Sequence, residues 1–170
     1  MENESENKTD FQDKDRSEII ENTIRQYADM IYRIAYQNTG NFHDAEDILQ
    51  EVSITLVTAD APITEPVHIK PWLIRVTINK CRDLCRRKKR TKTESLEDHL
   101  DISVEEKPAI IEELLQLPEL YRNILYLYYY ENLNIREISE ALHKNINTIR
   151  SGLQRGRKKL KEILIREAQG

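Results

Sequence analysis

A chain of 170 residues leaves room for one domain or two small ones. A charged fraction of 33% with only four glycines suits a soluble, mostly helical protein, and no apolar run approaches the roughly 20 residues that cross a bilayer, so a membrane-inserted protein is excluded. The net charge of −4 argues against a nucleic-acid partner, but that total hides strong segregation, and local patches set the field that a phosphate backbone meets.

The first segment, Met1–Glu21, holds eight acids and three bases. Its opening stretch, residues 1–15, is rich in Glu, Asn and Asp and is expected to be a disordered tail. It is acidic and polar rather than signal-like, so the expected location is the cytoplasm. Asp15 with Glu18 three residues later is a capping pair, and Ile20, Ile24, Tyr27, Ile31, Ile34 and Ala35 then share one face, which predicts a helix to about Gln37. Thr39-Gly40-Asn41 signals a turn. A second helix is expected from about His43 to Thr58, with Ala45, Ile48, Leu49, Val52 and Leu56 inward. Asp44, Glu46, Asp47, Gln50 and Glu51 lie on its outer side, where acids of the first turn also suit the helix dipole.

Ala59–Lys70 contains Pro62 and Pro66 and reads as a loop. Pro71 suits the first position of a third helix running to about Arg90. Ile74, Ile78, Cys81 and Cys85 form its apolar stripe, which makes the two cysteines core thiols rather than a disulfide or metal pair, and the four histidines show no ligand spacing. That helix ends in Arg86-Arg87-Lys88-Lys89-Arg90. Cations favour a helix C-terminus, but five in a row exceed what the dipole requires and point to phosphate contact.

Residues 93–107 are acidic and poor in large apolar side chains, which marks a flexible linker. Ile110, Ile111, Leu114 and Leu115 resume the apolar pattern, and Leu117-Pro118 separates a short helix from the next, Glu119 to about Tyr130. Asn134 followed by Glu137 is a capping box opening a short helix with Ile135, Ile138 and Leu142 on one side. Asn145 then caps a second helix in which Ile146, Ile149, Leu153, Gly156, Leu160 and Ile163 face inward. Its opposite face carries Asn147, Thr148, Arg150, Ser151, Gln154, Arg155, Lys158 and Lys161, and His143–Lys161 contains seven Lys/Arg and no acid. Two helices joined by a tight turn, the second polar and basic, form a helix-turn-helix suited to the major groove. The fold expected is all-α: two small helical domains, residues 16–92 and 108–167, joined by the linker. No nucleophile–base pair, phosphate-cradling glycine loop or zinc motif occurs, so neither an enzyme, nor a cofactor, nor a small-molecule substrate is expected.

Three segments, in order, resemble the small two-domain extracytoplasmic-function (ECF) sigma factors of bacterial RNA polymerase. Asp44–Glu51, D-A-E-D-I-L-Q-E, is similar to the segment with which that family contacts the clamp of the polymerase. Pro71–Arg87, P-W-L-I-R-V-T-I-N-K-C-R-D-L-C-R-R, is similar to its minus-ten helix, and Leu117–Leu127 plus the helix-turn-helix to its minus-thirty-five domain. The resemblance covers about Arg16–Glu167. It implies a promoter-directing subunit whose partners are core RNA polymerase, promoter DNA and an anti-sigma factor. It assigns polymerase binding to Asp44, Glu46, Asp47, Gln50 and Glu51, and minus-ten contact to His68, Trp72, Arg75, Asn79, Lys80, Arg82, Arg86 and Arg87, with Trp72 equally readable as a core aromatic. Minus-thirty-five contact falls to Asn147, Thr148, Arg150, Ser151, Gln154, Arg155, Arg157 and Lys158. The chain departs from the family at His143, where a turn glycine is usual, at Ser139 for alanine, and at Gly152, where a basic residue is usual and a DNA contact is therefore expected to be lost. A stand-alone repressor or activator is the alternative, and it leaves the Asp44–Glu51 segment and the second basic helix unexplained.

Overall fold

A computed structural model describes residues 3–59, 65–91 and 111–169. Among these residues the chain is helical without strands, in the order α1 (Asn3–Thr39), α2 (Phe42–Thr58), α3 (Pro66–Thr91), α4 (Ile111–Leu115), α5 (Glu119–Tyr129), α6 (Ile135–Leu142) and α7 (Ile146–Ala168). The acidic linker expected at residues 93–107 lies outside the described residues.

α1 differs from expectation at its start. Its helical backbone runs from Asn3 without a break at Asp15, so the stretch read as a disordered tail is continuous with the first core helix. The segment 1–39 contains no Gly or Pro, so nothing in its backbone chemistry interrupts a helix once the apolar turns further along have formed one. The expected stripe is inward, with Ile20, Ile31, Ile34 and Ala35 buried and Met30 beside them. Gly40 stops the helix in a left-handed conformation (φ 67°), its N–H donating to Tyr36 O at 2.8 Å. Asn41 caps α2 by accepting from the Asp44 N–H at 3.0 Å, and Ala45, Ile48, Val52 and Leu56 are buried as their spacing requires.

α3 starts one turn earlier than expected. Pro66, not Pro71, opens it, Glu65 O accepts from the His68 and Ile69 N–H groups, and Pro71 lies inside the helix. Its missing N–H forfeits one bond near the N-terminus, where a proline is least disruptive. Leu73, Ile74, Thr77, Ile78 and Cys81 are buried against α1 and α2. Burial pushes the Cys81 thiol up to about 12, while Cys85 is only half-buried. Because the folded pKa lies above the ordinary value of about 8.5, this burial contributes its full stability below that pH and loses it as pH rises toward 12. Alkylation at pH 8 followed by mass spectrometry is therefore expected to label Cys85 in the native chain and Cys81 only in urea.

The C-terminal helices close a second bundle around Leu114, Leu117, Ile124, Leu125, Leu127, Leu133, Ile138, Ala141, Ile149 and Leu153, and this core is continuous with that of α1–α3. The two halves meet where α1 packs on α4 and α5 and where α3 packs on α6. The centre of the first contact is polar: Asn123 Oδ1 accepts from Gln37 Nε2 at 2.7 Å and from Asn38 Nδ2 at 2.9 Å, and Asn123 Nδ2 donates to Asn38 Oδ1 at 3.1 Å. None of the described helices is long and apolar enough to cross a membrane.

Candidate nucleic-acid interface

The helix-turn-helix forms as its local sequence requires. Asn134 Oδ1 accepts from the N–H groups of Arg136 and Glu137, while Glu137 Oε2 accepts from the Asn134 N–H at 2.7 Å, completing the capping box of α6. His143 then adopts the left-handed conformation (φ 49°, ψ 48°) usually left to glycine, at a cost of about 1 kcal/mol. Three bonds hold the turn: the His143 N–H donates to Glu140 O at 3.3 Å, the Lys144 N–H donates to Ser139 O at 3.1 Å, and the Ser139 hydroxyl donates to Lys144 O. Ser139 thus fastens a turn made without a glycine. Asn145 caps α7 by accepting from the Asn147 N–H at 2.8 Å.

α7 presents Asn147, Arg150, Gln154, Arg155 and Lys158 to solvent; Thr148 and Ser151 are half-buried between them, the Ser151 hydroxyl donating to Thr148 O. Arg157 is engaged elsewhere. Its Nε donates to the Tyr129 hydroxyl at 2.7 Å, and its guanidinium stands 5.5 Å from the centroids of both Tyr128 and Tyr129. Gly152 is also not where the sequence suggested. It is buried, and a Cβ there would stand 2.5 Å from Ile124 Cδ1, so the position belongs to the α5–α7 packing and not to the exposed face. The absent basic residue therefore removes no side chain from the DNA-reading surface. Gly156 sits on the same close crossing, a Cβ there falling 3.2 Å from Leu125. Ile146, expected inward, is 36% exposed.

On the other half, the outer side of α2 divides into two groups. Asp44 accepts from Lys88 Nζ at 2.6 Å, and Glu51 lies 3.3 Å from Lys80 and 3.5 Å from Arg87, so these two acids anchor the basic end of α3. Glu46, Asp47 and Gln50 are exposed, Glu46 lying 3.8 Å from His43 Nδ1. Asp47 and Gln50 continue into Ile54 (62% exposed) and Val57 (53%), steps of 3, 4 and 3 that form one solvent-facing stripe. Sequence reasoning missed these two apolar residues, although both fall off the Ala45–Leu56 core stripe and so were detectable.

The α3 residues are similarly divided. His68 is exposed at the first turn beside Glu65, and Trp72 is half-buried against the core. Lys80 and Arg87 face α2, and Arg86 pairs with Asp83 at 2.9 Å. Arg75, Asn79 and Arg82 instead face the helix-turn-helix: together with Leu142, His143 and Lys144 they line a cleft of about 260 Å³. Arg75 meets His143 Nε2, and Arg82 Nε donates to Glu119 Oε1 at 2.6 Å. No group of three or more metal-ligating side chains occurs among the described residues.

Residues 23–91 match the Sigma-70 region 2 family and residues 108–160 the Sigma-70 region 4 family. The chain is 30% identical over 158 residues to the ECF RNA polymerase sigma factor SigW of Bacillus subtilis, an alignment covering 81% of this chain and 84% of that protein. It is 33% identical to SigM of the same organism, also an ECF RNA polymerase sigma factor, over 85% of this chain and 94% of that one. To SigE of Mycolicibacterium smegmatis, an ECF RNA polymerase sigma factor, it is 34% identical over 85% of this chain, and it spans 61% of that longer protein. Its fold is similar to that of the sigma factor RpoE in the co-crystal structure with the anti-sigma factor NepR from Bartonella quintana (TM-score 0.65, 16% identity, covering 89% of this chain and 97% of that one).

Proposed function

This chain belongs to the ECF sigma factors of RNA polymerase, and from that premise we propose how it divides the work of promoter recognition among its own residues. It acts as an alternative sigma factor: it binds core RNA polymerase and directs transcription initiation. The observation that carries the reading is the order of region 2 and region 4 matches along one chain, each falling on a helical unit with an exposed polar face.

The α2 stripe of Asp47, Gln50, Ile54 and Val57 docks on the polymerase, joined by Glu46; Asp44 and Glu51 act from behind by holding the basic end of α3. α3 serves the minus-ten element. His68, Arg75, Asn79 and Arg82 supply hydrogen bonds and charge, and Lys80, Arg86 and Arg87 grip phosphates as polar groups of a backbone-tracking surface do. Trp72 supports this face mainly by packing. α7 enters the major groove, with Asn147, Thr148, Arg150, Ser151 and Gln154 at base edges and Arg155 and Lys158 at phosphates. Arg157 positions α7 on α5 through Tyr128 and Tyr129. The chain works in the cytoplasm without chemistry of its own, since the phosphodiester bonds are made by the polymerase. By likeness to the solved complex, an anti-sigma factor is its inhibitory partner.

Transcription by core polymerase plus this chain from a randomised promoter library tests the reading. Transcripts sharing a two-block promoter motif are expected, and transcription that is independent of the chain would refute it. In the same assay, Arg150→Ala is expected to lose about 1–3 kcal/mol of discrimination at one position of the upstream block, the worth of one bidentate base contact. Equal weakening on all sequences would instead make Arg150 a phosphate contact.

A further inference from the structure

Apart from the faces assigned to polymerase and promoter, the C-terminal half carries a pocket of about 600 Å³ between α4, α5 and the last turns of α7. Leu114 and Leu125, both buried, form its floor. Its walls are exposed to a degree unusual for large apolar groups: Tyr129 is 53% exposed, Tyr130 43%, Leu164 39% and Ile165 46%. Single exposed apolar residues carry no message, but a contiguous apolar surface marks a binding site. The charged groups of the pocket are all of one sign. Arg157 and Lys161, one turn apart and both exposed, line it, and no acid does; Glu113 stands near Tyr130 but outside the lining. Arg157 Nε donates to the Tyr129 hydroxyl at 2.7 Å, which fixes the guanidinium over the wall and leaves its outer amino groups for another acceptor. Lys161 has no hydrogen-bond or ion-pair partner among the described residues.

We propose that this pocket binds one free long-chain carboxylate, its head group between Arg157 and Lys161 and its chain laid along the apolar trough between α5 and α7. Along α7 the two cations precede Leu164, Ile165 and Ala168, so one end of the trough is charged and the rest is apolar, the polarity of a single-chain anionic amphiphile. The volume falls within the range of about 300–1,000 Å³ in which small-molecule sites lie. Burying the chain removes hydrocarbon from water, while the head stays at the exposed rim and is not desolvated. The carboxylate is ionised at neutral pH and takes charge-assisted hydrogen bonds from the guanidinium and the ammonium. A ligand that bridges α5 and α7 also stabilises, by linkage, the half that holds the groove-reading helix.

Binding of cis-parinaric acid, a fluorescent long-chain carboxylate, to the full chain reads the site. Its displacement by laurate, by dodecanol and by phosphatidylglycerol vesicles reads what the site recognises. Lys161→Glu tests the head contact and Leu164→Ser the trough; both positions are exposed, so the fold is kept, as circular dichroism checks. Lys159→Glu makes the same charge change on another side of α7, where Lys159 lines the cleft with Gln116 and Glu162, and serves as the control. Saturable binding of one molecule per chain is expected, with laurate displacing the probe at least about tenfold better than dodecanol, the worth of a charge-assisted head contact. Lys161→Glu should weaken laurate at least about tenfold and leave dodecanol unchanged, Leu164→Ser should weaken both, and Lys159→Glu neither. Absence of saturable binding, affinities unchanged by Lys161→Glu and Leu164→Ser, or equal displacement by laurate and dodecanol overturns the proposal. Displacement by the vesicles but not by laurate overturns it as well, in favour of a membrane surface.

Discussion

Asp47→Lys combined with Gln50→Ala is expected to abolish retention of the chain on immobilised core RNA polymerase, lowering affinity by about 100-fold or more. Both side chains are exposed and neither takes part in the ion pairs that Asp44 and Glu51 make with α3. They stand at the head of the stripe that Ile54 and Val57 extend, so reversing a charge there places an unmatched cation at the edge of an otherwise apolar contact. Folding should be untouched, since exposed helix positions change stability by no more than about 0.5 kcal/mol. Asp44→Ala is the contrasting variant. Its side chain is only 15% exposed and held by Lys88, so it should remain on the polymerase with at most a small loss, seen instead as weaker minus-ten contact through a displaced α3 terminus. Full retention of the Asp47→Lys, Gln50→Ala chain would move the polymerase site off α2.

The second large effect is expected at Gly152. Gly152→Lys, which places there the basic residue that the family resemblance implies, should not strengthen DNA binding but should destabilise the C-terminal half. A Cβ at 152 would meet Ile124 Cδ1 at 2.5 Å, so the end of that fully buried side chain must shift. Overpacking of this kind costs about 1–3 kcal/mol for the methyl group alone, only partly offset by the gain of about 1 kcal/mol in helix propensity, and a buried ammonium adds to it. Gly156→Ala is the control on the same crossing: there the Cβ stands 3.2 Å from Leu125, a gap that a few tenths of an ångström relieves, so the net change should stay within about 1 kcal/mol. Urea denaturation followed by helical circular dichroism separates the two, and retained stability with tighter duplex binding for Gly152→Lys would return position 152 to the DNA face.

Both results bear on how one helix position is read. Residue 152 falls at spacing that a wheel assigns to the border between the apolar and basic faces of α7, whereas Gly156 lies within the inward stripe, and a glycine has no side chain to declare which face it serves. Only the approach of α5, with Tyr121 and Ile124 against Gly152, decides it. Arg157 is a parallel case. Its charge made it one more phosphate ligand in the sequence, but Tyr128 and Tyr129 lie within reach and take up its guanidinium.

What the amino-acid order determined by itself was local. Stripes such as Ala45–Ile48–Val52–Leu56 and Ile74–Ile78–Cys81, the Asn134/Glu137 capping box and the Asn145 cap all act within a turn or two of the chain, so spacing alone places them and they appear in the structure as read. At His143, where the resemblance implied either a strained non-glycine turn or a different turn, the structure has the strained left-handed one. Tertiary structure decided the rest. Which outer acids of α2 are free depends on where the basic end of α3 lands, 44 residues from Asp44 to Lys88. Whether Arg75 and Arg82 face solvent depends on His143 and Glu119 across the seam, and why Gln37, Asn38 and Asn123 are buried polar residues at all depends on their finding one another across more than 80 positions. Long-range pairing of polar groups leaves no periodic trace in a sequence, because each member looks like any solvated side chain until its partner desolvates it.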